Sequence, residues 1–203
     1  LDYELPADRI ATDPAEPRDA ARLMVARRDD GLVEHRTVAE LPTIPGGPGA
    51  GDLLVFNRTR VVPAGFAGRR AGTGGRVGGL WLGERHGIWE LMLESGGRLA
   101  AGEALELGDG QSLRRLEKQD RGRWLARPEP DVPALELLKR IGATPLPPYI
   151  RRARRDRGAA EVTDRDARRY NTVFATDPGS VAAPTAALHF TPRLFEALAE
   201  ASV

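Results

Sequence analysis

Cysteine is absent from this chain. Its own side chains can therefore form no disulfide, thiolate nucleophile or cysteine zinc site. That absence suits a reducing compartment, and a cytoplasmic location is expected. Histidine occurs only at His35, His86 and His189, too widely spaced for a His-rich metal site. No apolar run is long enough to span a bilayer, so no membrane anchor is expected. Residues 1–10 carry acids and a proline where a secretory signal needs a basic and then an apolar stretch. The familiar catalytic and nucleotide-binding patterns are also missing: GxGxxG after a strand, the P-loop, HExxH and GxSxG. Lysine is rare while alanine, glycine and arginine abound, which reads as genome composition and not as function.

What is present is a chain of 203 residues with a formal net charge of +1 and ordinary apolar content. That length allows one large domain or two small ones. The near-neutral total hides an asymmetry. Acids outnumber bases from Leu1 to Ala50, and bases dominate from Lys139 to Arg169. Arg151, Arg152, Arg154, Arg155, Arg157, Arg165, Arg168 and Arg169 lie close together there. Two readings of that cluster stand. It can attract a phosphate backbone, or it is a solvated face paired with Asp156, Glu161, Asp164 and Asp166.

Gly51 to Phe56 is a short apolar run after a Pro/Gly-rich loop and reads as a buried strand. Between Ala64 and Arg127, short apolar runs recur with Gly-rich turns between them. They are Val77 to Leu82, Ile88 to Leu93, Ala104 to Leu107, Ser112 to Leu116 and Arg123 to Ala126. That rhythm predicts a small antiparallel barrel or sandwich. Pro133 to Ile141 has helical spacing, with Leu135, Leu138 and Ile141 on one face and Gly142 as the stop. Tyr170 to Ala175 reads as another strand. Thr191 and Pro192 open a final helix with Leu194, Phe195 and Leu198 on its apolar side. The fold class expected is mixed α/β: a discontinuous α/β domain with an inserted antiparallel β-barrel-like module. The segments are 1–62, the inserted 63–129, and 130–203, the last expected to be incomplete at its C-terminal end. A monomer is expected.

Gly179 to Phe190, GSVAAPTAALHF, is the most distinctive stretch. Its small residues let backbone approach a ligand or another strand closely. Ser180, Thr185 and His189 are its only side chains able to donate or accept a hydrogen bond or proton. The composition fits a catalytic-site loop, and equally a tightly packed buried turn. Gly72 to Gly75 could cradle a phosphate with backbone amides, or be a plain hairpin turn. Tyr3, Tyr149 and Tyr170 could stack on a base, or be core and rim residues.

Several blocks, in order, resemble one family. They are Asp2 to Pro6 (DYELP), Ile10, Ala11, Pro14, Arg18, Arg22 to Val25, and Gly51 to Ala64 (GDLLVFNRTRVVPA). Pro145 to Arg152 (PLPPYIRR), Arg169 to Ala175 (RYNTVFA) and Gly179 to Thr191 follow. Together they are similar to the S-adenosylmethionine:tRNA ribosyltransferase-isomerases of queuosine biosynthesis. The resemblance implies an α/β domain with an inserted β-barrel. It implies an enzyme that transfers and isomerises the ribosyl group of S-adenosylmethionine onto a 7-aminomethyl-7-deazaguanine base in tRNA. The product is epoxyqueuosine, with release of adenine and methionine. S-adenosylmethionine is a co-substrate, and neither a metal nor another cofactor is expected. His189 is then the expected catalytic proton carrier. Asn57, Thr59, Arg60, Tyr149, Arg169, Tyr170, Ser180 and Thr185 are expected to bind substrate, and Arg151, Arg152, Arg154 and Arg155 to bind tRNA. Two other readings are the same chemistry on a small deazapurine-like acceptor, and a non-catalytic RNA- or partner-binding remnant. The chain departs from the family pattern at Gly65, Gly78, Arg58 and Ala187.

Overall fold

The computed structural model describes residues 2–203, and of residues 115 and 116 only the backbone. The N-terminal part opens as an irregular strap with short 3-10 turns at Ala7–Arg9 and Arg18–Ala20. It continues into an antiparallel hairpin of β1 (Arg22–Ala26) and β2 (Val33–Thr37). Thr37 and Glu40 then form a capping box, in which the Thr37 N–H donates to Glu40 Oε2 at 2.7 Å. That reciprocal pair starts the 3-10 turn Val38–Thr43.

The short strand β3 (Thr59–Val61) leads to six strands that close into a barrel. These are β4 (Gly65–Arg70), β5 (Arg76–Arg85), β6 (Ile88–Ser95), β7 (Ala104–Gly108), β8 (Gln111–Lys118) and β9 (Arg123–Glu129). Their order around the barrel is β4-β5-β6-β9-β8-β7. Closure comes where Arg69 faces Glu106 and Arg70 faces Leu105. Alternation in the sequence explains the packing, because Trp89, Leu91, Leu105 and Leu113 point inward and are fully buried. Each such side chain stabilises the fold by about 1.5–3 kcal/mol relative to exposure. All three tryptophans, Trp81, Trp89 and Trp124, sit in this core. The antiparallel barrel-like module expected from strand rhythm is thus a closed six-stranded barrel.

After the barrel come the helices α1 (Ala134–Ile141), α2 (Pro148–Asp156) and α3 (Asp164–Arg169), the short strand β10 (Asp177–Ser180) and the helix α4 (Pro192–Glu200). Ala134, Leu137 and Leu138 of α1 join the barrel's core cluster. The buried face of α1 is therefore set by these residues, and Leu135, expected on it, is 36% exposed. At the end of α1 a Cβ on Gly142 would lie 2.0 Å from the Pro63 carbonyl oxygen, so only glycine lets the helix end pack on that backbone. Gly65 exchanges backbone hydrogen bonds with Ala143 at 3.1 and 2.6 Å, which ties the first barrel strand to the segment after α1. Outside the barrel cluster, among the described residues, the core is small, with Val38, Leu194 and Leu198 buried together.

Two strand expectations need correction. Residues 52–58 belong to no strand, and Leu53 and Val55 are 85% and 84% exposed. The run is apolar enough for a buried strand, but among the described residues no other strand pairs with it. Tyr170 to Ala175 is also not a strand. Thr163 and Asp166 form a capping box that starts α3, and Tyr170 is the residue that ends that helix. The chain then turns and pairs only from Asp177. Gly72 to Gly75 is a hairpin turn between β4 and β5. The amides of Thr73 and Gly74 both donate to the Arg70 carbonyl, so they are not free to cradle an anion.

Candidate functional site

β3 and β10 run parallel, with Thr59 opposite Asp177, Arg60 opposite Pro178 and Val61 opposite Ser180. This pairing joins two of the distinctive blocks. The Val62 N–H donates to the Ser180 carbonyl at 3.0 Å, and the register shifts between Pro178 and Ser180. Asn57 begins the segment with a side-chain turn, its Oδ1 accepting from the Thr59 N–H at 3.0 Å. Arg60 donates from Nε and one terminal nitrogen to the Ala175 carbonyl, at 3.2 and 3.1 Å. Arg58 Nε pairs with Asp177 at 2.8 Å across the same strand pair, and that bond is the main reason the Asp177 pKa is lowered. Ser180 Oγ donates to the Ala182 carbonyl and accepts from the Ala182 N–H, which bends the chain into the small-residue loop.

A third block enters through Asn171. Its Oδ1 accepts from the Val61 N–H at 2.8 Å, and its amide nitrogen donates to the Ala167 carbonyl at 2.9 Å. Arg18 reaches in from the N-terminal strap. It donates to the carbonyls of Asn171 at 2.6 Å, Arg168 at 3.0 Å and Leu188 at 3.5 Å. Burial lowers the Arg18 pKa, with Glu16 opposing and Arg169 adding to the shift. One guanidinium thus fixes the Asn171 turn and the loop before His189 relative to each other. Burial likewise raises the Tyr170 phenol above its usual value; a hydrogen bond from the Ala183 backbone opposes this and Tyr149 adds slightly to it. Tyr149, on α2, is 58% exposed.

His189 ends the 3-10 turn Thr185–His189. Its Nδ1 lies 3.1 Å from the Ala186 carbonyl oxygen. A carbonyl can only accept, so this contact places the proton on Nδ1 and leaves Nε2 with a free lone pair in the neutral ring. Thr185 is exposed at the start of the turn. Ala187 is buried between them at 7% exposure.

The basic cluster divides in two. Arg154 is only 5% exposed, and Asp166, its partner, 4%. They share two hydrogen bonds of 2.7 and 2.9 Å, and Arg154 also donates twice to the Thr12 carbonyl. Arg154 therefore has no donor to offer a phosphate, which corrects its assignment to RNA. Arg157 holds the carbonyls of Ala7 and Ile10, and Arg169 holds Glu16. Arg154, Arg157 and Arg169 act with Arg18 as clamps on the N-terminal strap. Arg151 and Arg155 share Glu161, and Arg152 lies 3.8 Å from Asp156, all on the surface. Arg165 and Arg168 are exposed, and their side chains have no ion-pair partner among the described residues.

The structure thus links Asn57, Thr59, Arg60 and Ser180 through one strand pair and its flanking turns, and Tyr170 stands beside the loop at Ala183. Tyr149 lies on α2. His189 is joined to them through Leu188, Arg18 and Asn171. Arg169 is engaged with the strap instead. A cavity of about 210 Å³ is lined by other residues, among them Thr12, Asp13, Arg154 and Thr163. Among the described residues, no three His, Cys, Asp or Glu side chains group to hold a metal ion. Sequence reasoning overlooked the pinning roles of Arg18 and Asn171. It also overlooked the cluster of Phe56, Phe174, Phe190 and Phe195, whose ring centroids lie 4.8–5.8 Å apart. All four phenylalanines fall inside or beside the distinctive blocks, which was the available signal.

Fold and site together define a mixed α/β protein with an inserted closed barrel and a polar small-residue loop pinned beside a parallel strand pair. The profile of the family described as "Queuosine biosynthesis protein" matches residues 1–203, and the chain belongs to that family. It is 46% identical over 201 residues to the S-adenosylmethionine:tRNA ribosyltransferase-isomerase of Rubrobacter xylanophilus, covering 99% of this chain and 55% of that protein. It is 43% identical over 205 residues to the protein of the same name from Rhizorhabdus wittichii, covering 100% and 56%. A crystal structure of S-adenosylmethionine tRNA ribosyltransferase from Thermotoga maritima is 28% identical and covers 100% and 54%, with a TM-score of 0.37. The chain spans about half the length of these relatives.

Proposed function

We propose that this chain supplies the barrel and the S-adenosylmethionine loop of an S-adenosylmethionine:tRNA ribosyltransferase-isomerase. The observation that carries this reading is the 46% identity, over nearly all of this chain, to a relative of that name. The reaction moves the ribosyl group of S-adenosylmethionine onto the aminomethyl group of a 7-deazaguanine base in tRNA, and adenine and methionine leave. The sulfonium of the donor acidifies the neighbouring C–H and is itself the leaving group, so neither a metal nor a redox cofactor is required. The chain's own residues then have three tasks. His189 Nε2 takes the acidic proton, because its Nδ1 already donates to Ala186. Thr59, Arg60, Ser180 and Thr185 orient the donor, and Tyr149 and Tyr170 line the place of the base. Arg151, Arg152, Arg155, Arg165 and Arg168 face tRNA phosphates.

The test is adenine release from S-adenosylmethionine by this chain joined to the part of the Rubrobacter relative it does not match. Release should require tRNA carrying the aminomethyl base. His189→Ala should slow it by about a hundredfold or more, the scale of a lost general acid–base group. Release with the free deazapurine alone would favour a small acceptor. No release with either acceptor would sink the enzymatic reading.

A further inference from the structure

Asp19 is fully buried, and the proposed reaction gives it no task. Thr191 Oγ1 donates to its Oδ2 at 2.7 Å and Arg193 Nε donates to the same oxygen at 2.6 Å, while a terminal nitrogen of Arg193 donates to Oδ1. Thr191 Oγ1 also accepts from the Leu194 N–H at 3.3 Å, so Asp19 holds the residue that caps α4. Arg18, the residue before it, binds a different set: the carbonyls of Asn171, Arg168 and Leu188. The local structure allows this division. Both residues lie in the 3-10 turn Arg18–Ala20, where successive side chains leave the axis about 120° apart, so one turn serves two directions. The turn is itself anchored, because the Val38 N–H donates to the Ala21 carbonyl at 2.9 Å.

The points that Arg18 and Asp19 hold lie on either side of His189. Leu188 precedes it, and Thr191 follows it by two residues. The residues around it are packed as well. Ala187 is buried, the Phe190 N–H donates to the Ala187 carbonyl at 3.3 Å, and the Phe190 ring packs on Phe56 and Phe195. Within this frame His189 Nδ1 meets the Ala186 carbonyl, a contact that lasts only while the backbone from Ala186 to His189 keeps its turn. We propose that Arg18 and Asp19 are a positioning pair for His189: two side chains of one turn hold the chain on both sides of the histidine, and so set the place of its ring and the nitrogen that carries its proton. With the flanks released, the ring is no longer held against Ala186. Its proton can then move to Nε2, the nitrogen that must be bare to act as a base. Both residues act through the chain beside the histidine and not on its ring. The geometric part stands without the reaction, and its catalytic consequence rests on the proton transfer proposed for His189.

Ring-nitrogen NMR of isotope-labelled histidine tests it, in the chain joined to the unmatched part of the Rubrobacter relative and at a pH where the ring is neutral. His189→Gln assigns the signal by its disappearance. The native protein should carry the proton of His189 on Nδ1. Arg18→Gln and Asp19→Asn should each convert His189 to a mixture of tautomers or to the Nε2–H form, with His35 and His86 unchanged. In the same variants kcat for adenine release should fall by about tenfold to a hundredfold, because a misplaced catalytic group costs turnover. KM for S-adenosylmethionine should stay within about twofold, because binding is not what the pair serves. Arg193→Gln loosens Asp19 from the exposed side of α4, and gives the same readouts should either variant fail to fold. A proton on Nδ1 in the native protein and in every variant would overturn the proposal, as would a native ring already protonated at Nε2. A shifted tautomer with unchanged turnover would uphold the pair and remove His189 from the chemistry.

Discussion

Replacing Arg154 by leucine separates a structural arginine from an RNA-binding one. In the native protein Arg154 and Asp166 are almost fully buried and share two short hydrogen bonds. Asp166 also accepts from the Thr163 N–H at 2.7 Å and from Thr163 Oγ1 at 3.0 Å. Arg154→Leu removes both guanidinium bonds to the carboxylate and leaves a buried charge held by Thr163 alone. It also releases the Thr12 carbonyl, and with it one clamp on the strap. Breaking a buried pair from one side costs about 3–5 kcal/mol. A comparable surface pair such as Arg152 with Asp156 contributes at most about 1 kcal/mol. Urea unfolding followed by circular dichroism would read the difference as a lower midpoint at constant slope. Adding Asp166→Asn removes the stranded charge but keeps an acceptor for Thr163, so the double variant should be more stable than Arg154→Leu alone. A loss below about 1 kcal/mol for Arg154→Leu, or a double variant less stable than the single, would refute the buried-pair reasoning.

Three further outcomes follow from the same geometry. Gly142→Ala should destabilise the seam between α1 and the barrel by about 1–3 kcal/mol, measured by the same unfolding experiment, because backbone and not a movable side chain occupies the Cβ position. Acid should destabilise the protein in a defined direction. Hydrogen bonds from Arg193 hold Asp19 below the usual carboxylate range against the opposing effect of burial. Burial pushes Asp166 up, and the donors on Arg154 and Thr163 outweigh it. Carboxylates depressed in the folded state stabilise it above their unfolded value of about 4, and that stability is lost as pH falls below it. The urea midpoint should therefore drop as the pH is lowered from about 4, and a rise there would contradict the assignment. Finally, alanine at Arg152, Arg155, Arg165 and Arg168 together should weaken tRNA binding regardless of sequence. It should also flatten the salt dependence by up to about one unit of slope for each phosphate-facing arginine replaced, in titrations at several salt concentrations.

The barrel was legible because each of its strands carries its own period-two signal and its own Gly-rich turn. Helix α4 was legible for a similar local reason, since the Thr191 hydroxyl accepts from the Leu194 N–H at the predicted cap. Residues 51–56 and 170–175 were misread because strand character alone does not say whether a neighbour exists. The first has no partner strand among the described residues, and the second is overridden by the capping box that starts α3. The site was half legible. Composition singled out the loop from Gly179 to Phe190, and the block order joined it to Asn57 through Arg60. Arg154 was placed on the wrong side of the basic cluster, because spacing along α2 cannot show that Asp166 and the Thr12 carbonyl wait on its buried face. The reach of Arg18 to residues 150 or more positions away leaves no local trace at all.

The central claim is that the blocks meeting at β3, Asn171 and the His189 loop hold S-adenosylmethionine. Hydrogen exchange with and without that compound, in the chain joined to the remainder of its relative, tests it most directly. Peptides covering residues 57–62, 169–175 and 179–190 should gain protection together, while the barrel strands β7 and β8 stay unchanged. Protection confined to the barrel, or to the cavity between Thr12 and Arg165, would contradict it.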